Sequence, residues 1–264
     1  MSETNPYQAP AANLAREPDI GSFQFAGPRA VPIGHGWGWI AGGFNLFTKN
    51  PGIWILTVIV GLIIYIALYV TPFIGKFAIM GTSQVWIAGI ILGCRSQDRG
   101  GEFKLEHLFD GFSSKPGQLI LLSIFMSIIA VSFWFVMVGP VYLDVLTTGP
   151  IPDHEVMKKF NEKMAESSGI MPLYLLAMLI SIPVHMTVWF TSALIVLNDV
   201  PILRAMKLSF IGCLKNILPF LLYFILAIVF CFLSLIPLFL GLLVFVPTMF
   251  GSFYAAYDDI YIEH

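Results

Sequence analysis

His185 is the residue of this chain best placed to do chemistry. It stands in Ser181-Ile182-Pro183-Val184-His185, near the middle of a long apolar run, and no other histidine, acid or base lies so deep. Ionisable side chains in a bilayer interior are costly, and they generally face other helices or a water-filled cavity. Ser181 and Ser192, at minus four and plus seven, share its face on a helix, and Pro183 loosens the backbone nearby. A proton relay would need a second titrating group, and none is visible in the run. The plainer expectation is a neutral imidazole hydrogen-bonded across to another helix.

The acidic residues offer a second constellation. Asp98, Asp199, Asp258 and Asp259 lie at the same ends of three apolar runs, so a repeated architecture would gather them into a rim able to attract a cation or a partner. The structural alternative is capping: Asp199, two residues before Pro201, suits a helix start. Gly34-His35-Gly36-Trp37-Gly38 is glycine-rich, but it follows no strand and precedes no Lys-Ser/Thr, so it fails as a phosphate loop. No HExxH, GxSxG or paired-carboxylate motif appears. Cys94, Cys213 and Cys231 are widely spaced, which argues against disulfides and zinc sites. Neither a metal, a cofactor nor an enzymatic activity is expected.

The elements that must position these residues are membrane helices. The chain is 57% hydrophobic and 11% charged, with 23 phenylalanines, against about 25% charged for soluble domains. A net charge of −2 argues against nucleic acid as a partner. Spans are expected at about 52–74, 77–94, 117–143 and 170–197. The last 41 apolar residues, Ile217–Tyr257, exceed one crossing at about 1.5 Å per residue. They divide into 217–235 and 238–257, with a turn near Pro237. The fold class expected is therefore all-α, polytopic, with six transmembrane helices in a domain over 36–261.

An amphipathic segment precedes each odd-numbered span. Trp37, Ile40, Phe44 and Phe47 share one helical face; so do Leu105, Leu108, Phe109 and Phe112, and then Leu203, Met206, Phe210 and Leu214. Each segment ends in a lysine, at Lys49, Lys115 and Lys215, which could hold its ammonium among headgroups. The reading is a pseudo-threefold repeat of interfacial helix, span, span. Gly89 and Gly93, and Gly251 with Ala255, form small-residue ridges suited to packing within the molecule. The even spans are then inner, and the first and fifth face lipid.

Residues 1–35 are rich in Pro, Ala and Gly and read as a disordered arm, with Asn5-Pro6-Tyr7-Gln8 as a possible partner motif. No cleaved signal peptide is expected there. Lysine and arginine count ten on the side of this arm and four on the other, which places both termini in the cytoplasm. Val156, Phe160 and Met164 suggest a short helix on the outer leaflet.

Three stretches also carry a resemblance: Arg29-Ala30-Val31-Pro32 with Gly36-Trp37 and Phe44-Asn45-Leu46-Phe47, Asn198-Asp199-Val200-Pro201 with Ala205-Met206-Lys207-Leu208-Ser209-Phe210, and Tyr254-Ala255-Ala256-Tyr257-Asp258-Asp259-Ile260. Together they resemble a family of six-helix bacterial inner-membrane proteins, distantly similar to the membrane domain of some glycerophosphodiester phosphodiesterases. The resemblance implies a bacterial cytoplasmic membrane and no established activity, and no phosphodiesterase catalytic domain is present. The functional expectation is a non-enzymatic membrane scaffold or accessory protein that binds a partner. The alternative is a transporter of a small or amphipathic substrate using His185.

Overall fold

The computed structural model describes residues 24–148 and 171–263, together with Glu155, Lys158 and Glu162. The expected outer-leaflet helix around Val156–Met164 and the Asn5–Gln8 motif lie outside the described residues. The described chain is helical: α1 (His35–Lys49), α2 (Pro51–Val70), α3 (Ile74–Asp98), α4 (His107–Ser113), α5 (Pro116–Thr148), α6 (Met171–Val188), α7 (Thr191–Asn198), α8 (Ile202–Lys215), α9 (Ile217–Leu235) and α10 (Leu242–Tyr261). Two short strands, β1 (Gln24–Phe25) and β2 (Ile262–Glu263), pair antiparallel.

Five helical stretches are long and apolar enough to cross a membrane: Pro51–Val70, Ile74–Asp98, Pro116–Phe135, Leu175–Asn198 and Ile217–Leu235. The sixth expected span corresponds to α10, which does not reach that composition. Asp258 and Asp259 near its end lower its hydropathy most, and Thr248, Ser252, Tyr254, Tyr257 and Tyr261, which all lie on its buried side, lower it further. Layering follows the same logic. The most apolar windows, in α2, α5 and α9, are 11%, 17% and 22% buried, whereas those of α3 and of α6 with α7 are each 39% buried. The outer helices therefore carry the lipid-like surface, and the inner ones carry the small and polar residues.

The joints are built from the Lys-Asn and Lys-Pro steps. Asn50 ends α1 and also caps α2, its side chain accepting from the Ile53 amide, with Pro51 in the first helical position. Lys115, at φ +55°, turns the chain between α4 and α5, and Asn216 sits between α8 and α9. The split near Pro237 is present: residues 236–241 form turns in which Leu238 and Phe239 adopt φ of +51° and +66°. Gly241 is needed there, because a Cβ would come within 2.6 Å of Ser234 Cα.

Each short helix packs on an inner one: α4 on α3, α8 on α6 and α7, and α1 on α10. Backbone meets backbone at these crossings. A Cβ on Gly43 would collide with the Ser252 amide and the Thr248 carbonyl, and one on Gly111 with the Val85 carbonyl. In the third crossing a serine stands in that place. Ser209 Oγ donates to the Met186 carbonyl (2.8 Å) and accepts from the Phe190 amide (2.9 Å). The hydroxyl thus occupies one rung of the helical ladder, which interrupts the expected 170–197 span at Trp189–Phe190.

Residues 24–34 correct the expected extent of the arm. Ala26 and Arg29 donate backbone amides to the Tyr261 and Ile260 carbonyls. The buried Asn216 side chain accepts from the Val31 amide and donates to the Arg29 and Gly212 carbonyls, each at 2.8 Å. Low hydrophobicity suggested a solvated tail, but this stretch is held by backbone pairing, which composition does not report.

Candidate functional site

The lysines that end the short helices are bonded within the chain. Lys49 Nζ donates to the Gln97 carbonyl (3.5 Å), Lys115 pairs with Asp199, and Lys215 Nζ donates to the Pro28 carbonyl (2.8 Å). Carbonyls at a helix C-terminus carry partial negative charge, so an ammonium is favoured beside the last turn of α3 and of α7. The sequence places the lysines but not these acceptors, which are distant in the chain.

The same end of the bundle holds a polar network where α3, α7 and α10 meet. Arg95 donates to the Leu197 carbonyl (3.1 Å), Tyr254 donates to Asp98 (3.1 Å), and Tyr257 donates to Asn198. Tyr261 donates to the Leu208 carbonyl at 3.0 Å. The first three bonds tie the inner helices to each other and the last ties α10 to α8, and the tyrosines were not recognised from sequence as a site. Their spacing of three and four along α10 was the available signal.

Each of the four aspartates lies beside other groups of the chain. Among the described residues no three His, Cys, Asp or Glu side chains gather where they could hold a metal ion. Asp98 is engaged by Tyr254 and Asp199 by Lys115. Asp199 ends α7 in the left-handed region (φ +62°) and makes no side-chain cap on α8. Asp258 stands within electrostatic reach of Tyr254 and Tyr257. Asp259 is a hub: its carboxylate accepts from His35 Nδ1 (2.8 Å), Trp39 Nε1 (2.8 Å) and Arg29 (3.3 Å).

The small-residue ridges are packing devices. A Cβ on Gly89 would collide with the His107 carbonyl, so this ridge receives the start of α4. Gly93 is closed over by the Phe103 ring and His107. A Cβ on Gly251 would lie 2.9 Å from Gly43 Cα, and Ala255 packs at Gly42. Both ridges accept short helices.

His185 departs most from expectation. It is exposed on the outside of the bundle, and its Nδ1 bonds the Ser181 carbonyl of its own helix at 2.8 Å. Ser181 Oγ also turns back, to the Met178 carbonyl (2.7 Å). Ser192 is separated from them: the break at Trp189–Phe190 interrupts the register, and Ser192 is buried with its hydroxyl unpartnered among the described residues. His185 and Ser181 line a groove of about 480 Å³ between α6, α8 and α9, walled by Met186, Trp189, Phe220 and Phe224. Cys213 borders it, and burial pushes that thiol up to about 12, which keeps it protonated and a poor nucleophile.

Other hollows accompany it. An apolar one of about 510 Å³ lies between α1, α9 and α10, lined by Trp37, Phe44, Phe230 and Phe245 among others. A polar cleft of about 480 Å³ runs between α3 and α4, past Arg95, Arg99, His107 and Asp110. Among the described residues, none of these three hollows holds a nucleophile hydrogen-bonded to a base. Compared with known protein families, with curated proteins and with solved structures, the chain matches none.

Proposed function

We propose that this chain is a six-span membrane scaffold or accessory protein without enzymatic activity, which binds partners at its surface and does not pass a solute through its centre. The observation that carries this reading is the closed interior. Val85, Ala88, Ile91 and Cys94 of α3, Ala193, Leu194 and Ile195 of α7, and Ala256 and Ile260 of α10 are no more than 2% exposed. The three hollows described above lie at the surface of the bundle and open outward.

Six spans, with α10 as the last, are supported by the pairing of β1 with β2, which brings the two described ends of the chain to one place. An odd number of crossings would leave them on opposite faces of the bilayer. The threefold repeat is supported by three sets of parallel contacts. Gly43, Gly111 and Ser209 each face a carbonyl and amide one turn apart on an inner helix. Three lysines reach the ends of inner helices or the segment bound to one. Trp54, Leu119 and Phe220, three residues into α2, α5 and α9, are all buried. The ten-to-four distribution of Lys and Arg favours both termini in the cytoplasm, and the amino-terminal arm is the proposed place for a protein partner. Cysteines at Ser114 and Ser168 should then label from opposite faces, Ser168 from outside; labelling of both from one face would remove the six-span reading.

A transporter would draw on the broken α6–α7 segment, since interrupted spans form substrate sites in transporters. Here, however, Ser209 takes the amide and carbonyl that the break releases. An Ala193→Cys substitution in a chain freed of its native cysteines tests the point. The scaffold reading predicts no modification by a membrane-impermeant maleimide from either face. Modification from both faces would show an interior that opens in alternation.

A further inference from the structure

The groove beside His185 combines an apolar wall with a single, directed hydrogen-bonding group. The Ser181 carbonyl can only accept, so Nδ1 of His185 must donate to it. The neutral ring then carries its remaining lone pair on Nε2, and no described residue donates to that atom. His185 lies within the Leu175–Asn198 stretch, and two exposed apolar side chains, Ile182 and Leu221, line the same groove. Hydrocarbon offers such an acceptor no donor, and an unmet polar atom in that medium is costly. The groove's volume of about 480 Å³ falls within the roughly 300–1,000 Å³ of small-molecule sites.

We propose that this groove binds a lipid-soluble alcohol or phenol, whose hydroxyl donates to Nε2 of His185 while its apolar body lies against Met186, Trp189, Phe220 and Phe224. A hydroxyl is the chemistry the site calls for. It supplies the one donor required, carries no charge that an apolar wall would penalise, and leaves the rest of the ligand free to be hydrocarbon. Trp189 and Phe220 form an edge-to-face pair at 6.1 Å, and Trp189 and Phe224 another at 5.4 Å, giving the body a rigid aromatic wall. The proposal does not depend on the scaffold reading, because it concerns the outer surface and not the interior.

The test uses the full chain in lipid nanodiscs and two photoreactive probes, a diazirine-bearing long-chain alcohol and its O-methyl ether. Labelled peptides are mapped by mass spectrometry. The alcohol should label segments 181–189 and 217–224 about tenfold more than the ether, because only the alcohol can donate. His185→Gln, whose side-chain oxygen accepts, should keep most of the preference. His185→Leu should bring alcohol labelling down to the ether's level. Equal labelling by the two probes in the unaltered chain would overturn the proposal, as would a preference that survives His185→Leu. Alcohol label spread evenly over α2, α5 and the groove would overturn it too, since that is simple partitioning into lipid. If His185→Leu fails to insert, the comparison of the two probes on the unaltered chain still decides.

Discussion

Replacing Gly43 or Gly111 with alanine should cost about 3 kcal/mol or more and leave little folded protein, although each change adds one methyl group. At Gly43 the new Cβ would collide with the Ser252 amide and the Thr248 carbonyl; at Gly111 it would collide with the Val85 carbonyl. All are backbone atoms of an inner helix, and they cannot move aside as a side-chain tip does. The short helix must lift away from its partner, and the packing of α1 on α10 or of α4 on α3 is lost. Close helix approach through small residues is a main source of association in lipid, so the loss is not recovered elsewhere. Gly38 supplies the control. It lies in the same helix as Gly43, a Cβ there meets nothing within 4 Å, and alanine is the better helix former by about 1 kcal/mol. Thermal unfolding in nanodiscs should show Gly38→Ala unchanged or slightly raised and Gly43→Ala strongly lowered. Equal transitions for the two would mean that the crossing is looser than described.

Asn216→Leu should release the amino-terminal strap and destabilise the protein by about 3 kcal/mol. The side chain is fully buried and holds three backbone groups: the Val31 amide and the carbonyls of Arg29 and Gly212. Leucine nearly matches its volume but bonds none of them. Leaving a buried backbone group unmet costs about 1–3 kcal/mol, and the Val31 amide and Arg29 carbonyl have no helix to fall back on. The readout is local: trypsin should cut after Arg29 at least tenfold faster in the variant, as cleavage tracks the population of the opened strap. Asp259→Ala should act in the same direction, because it removes the acceptor shared by Arg29, His35 and Trp39. An unchanged cleavage rate in Asn216→Leu would mean that β1–β2 pairing alone holds the strap.

What the sequence by itself determined is the set of properties that depend on local pattern. Length and hydropathy marked the helices, Pro237 marked the turn between α9 and α10, and the Lys-Asn-Pro step marked the joint between α1 and α2. The ranking of outer and inner helices was also legible, because lipid-facing surfaces are strongly apolar while small-residue ridges pack inside. Position in space was not legible. The sequence showed three lysines but not that their acceptors, two helix ends and the Pro28 carbonyl, are distant in the chain. It showed His185 deep in a run, yet a one-dimensional pattern does not fix which side of a nearly all-apolar helix faces its neighbours. Ser209 lies outside the span it interrupts, so no reading of residues 170–197 alone could have found the break. Asp259 and Asn216 looked like polar punctuation at helix ends; only the folded chain brings Arg29, Val31, His35 and Trp39 to them. Hydrogen bonds between distant segments depend on the closing of the bundle, which each local stretch favours but does not specify.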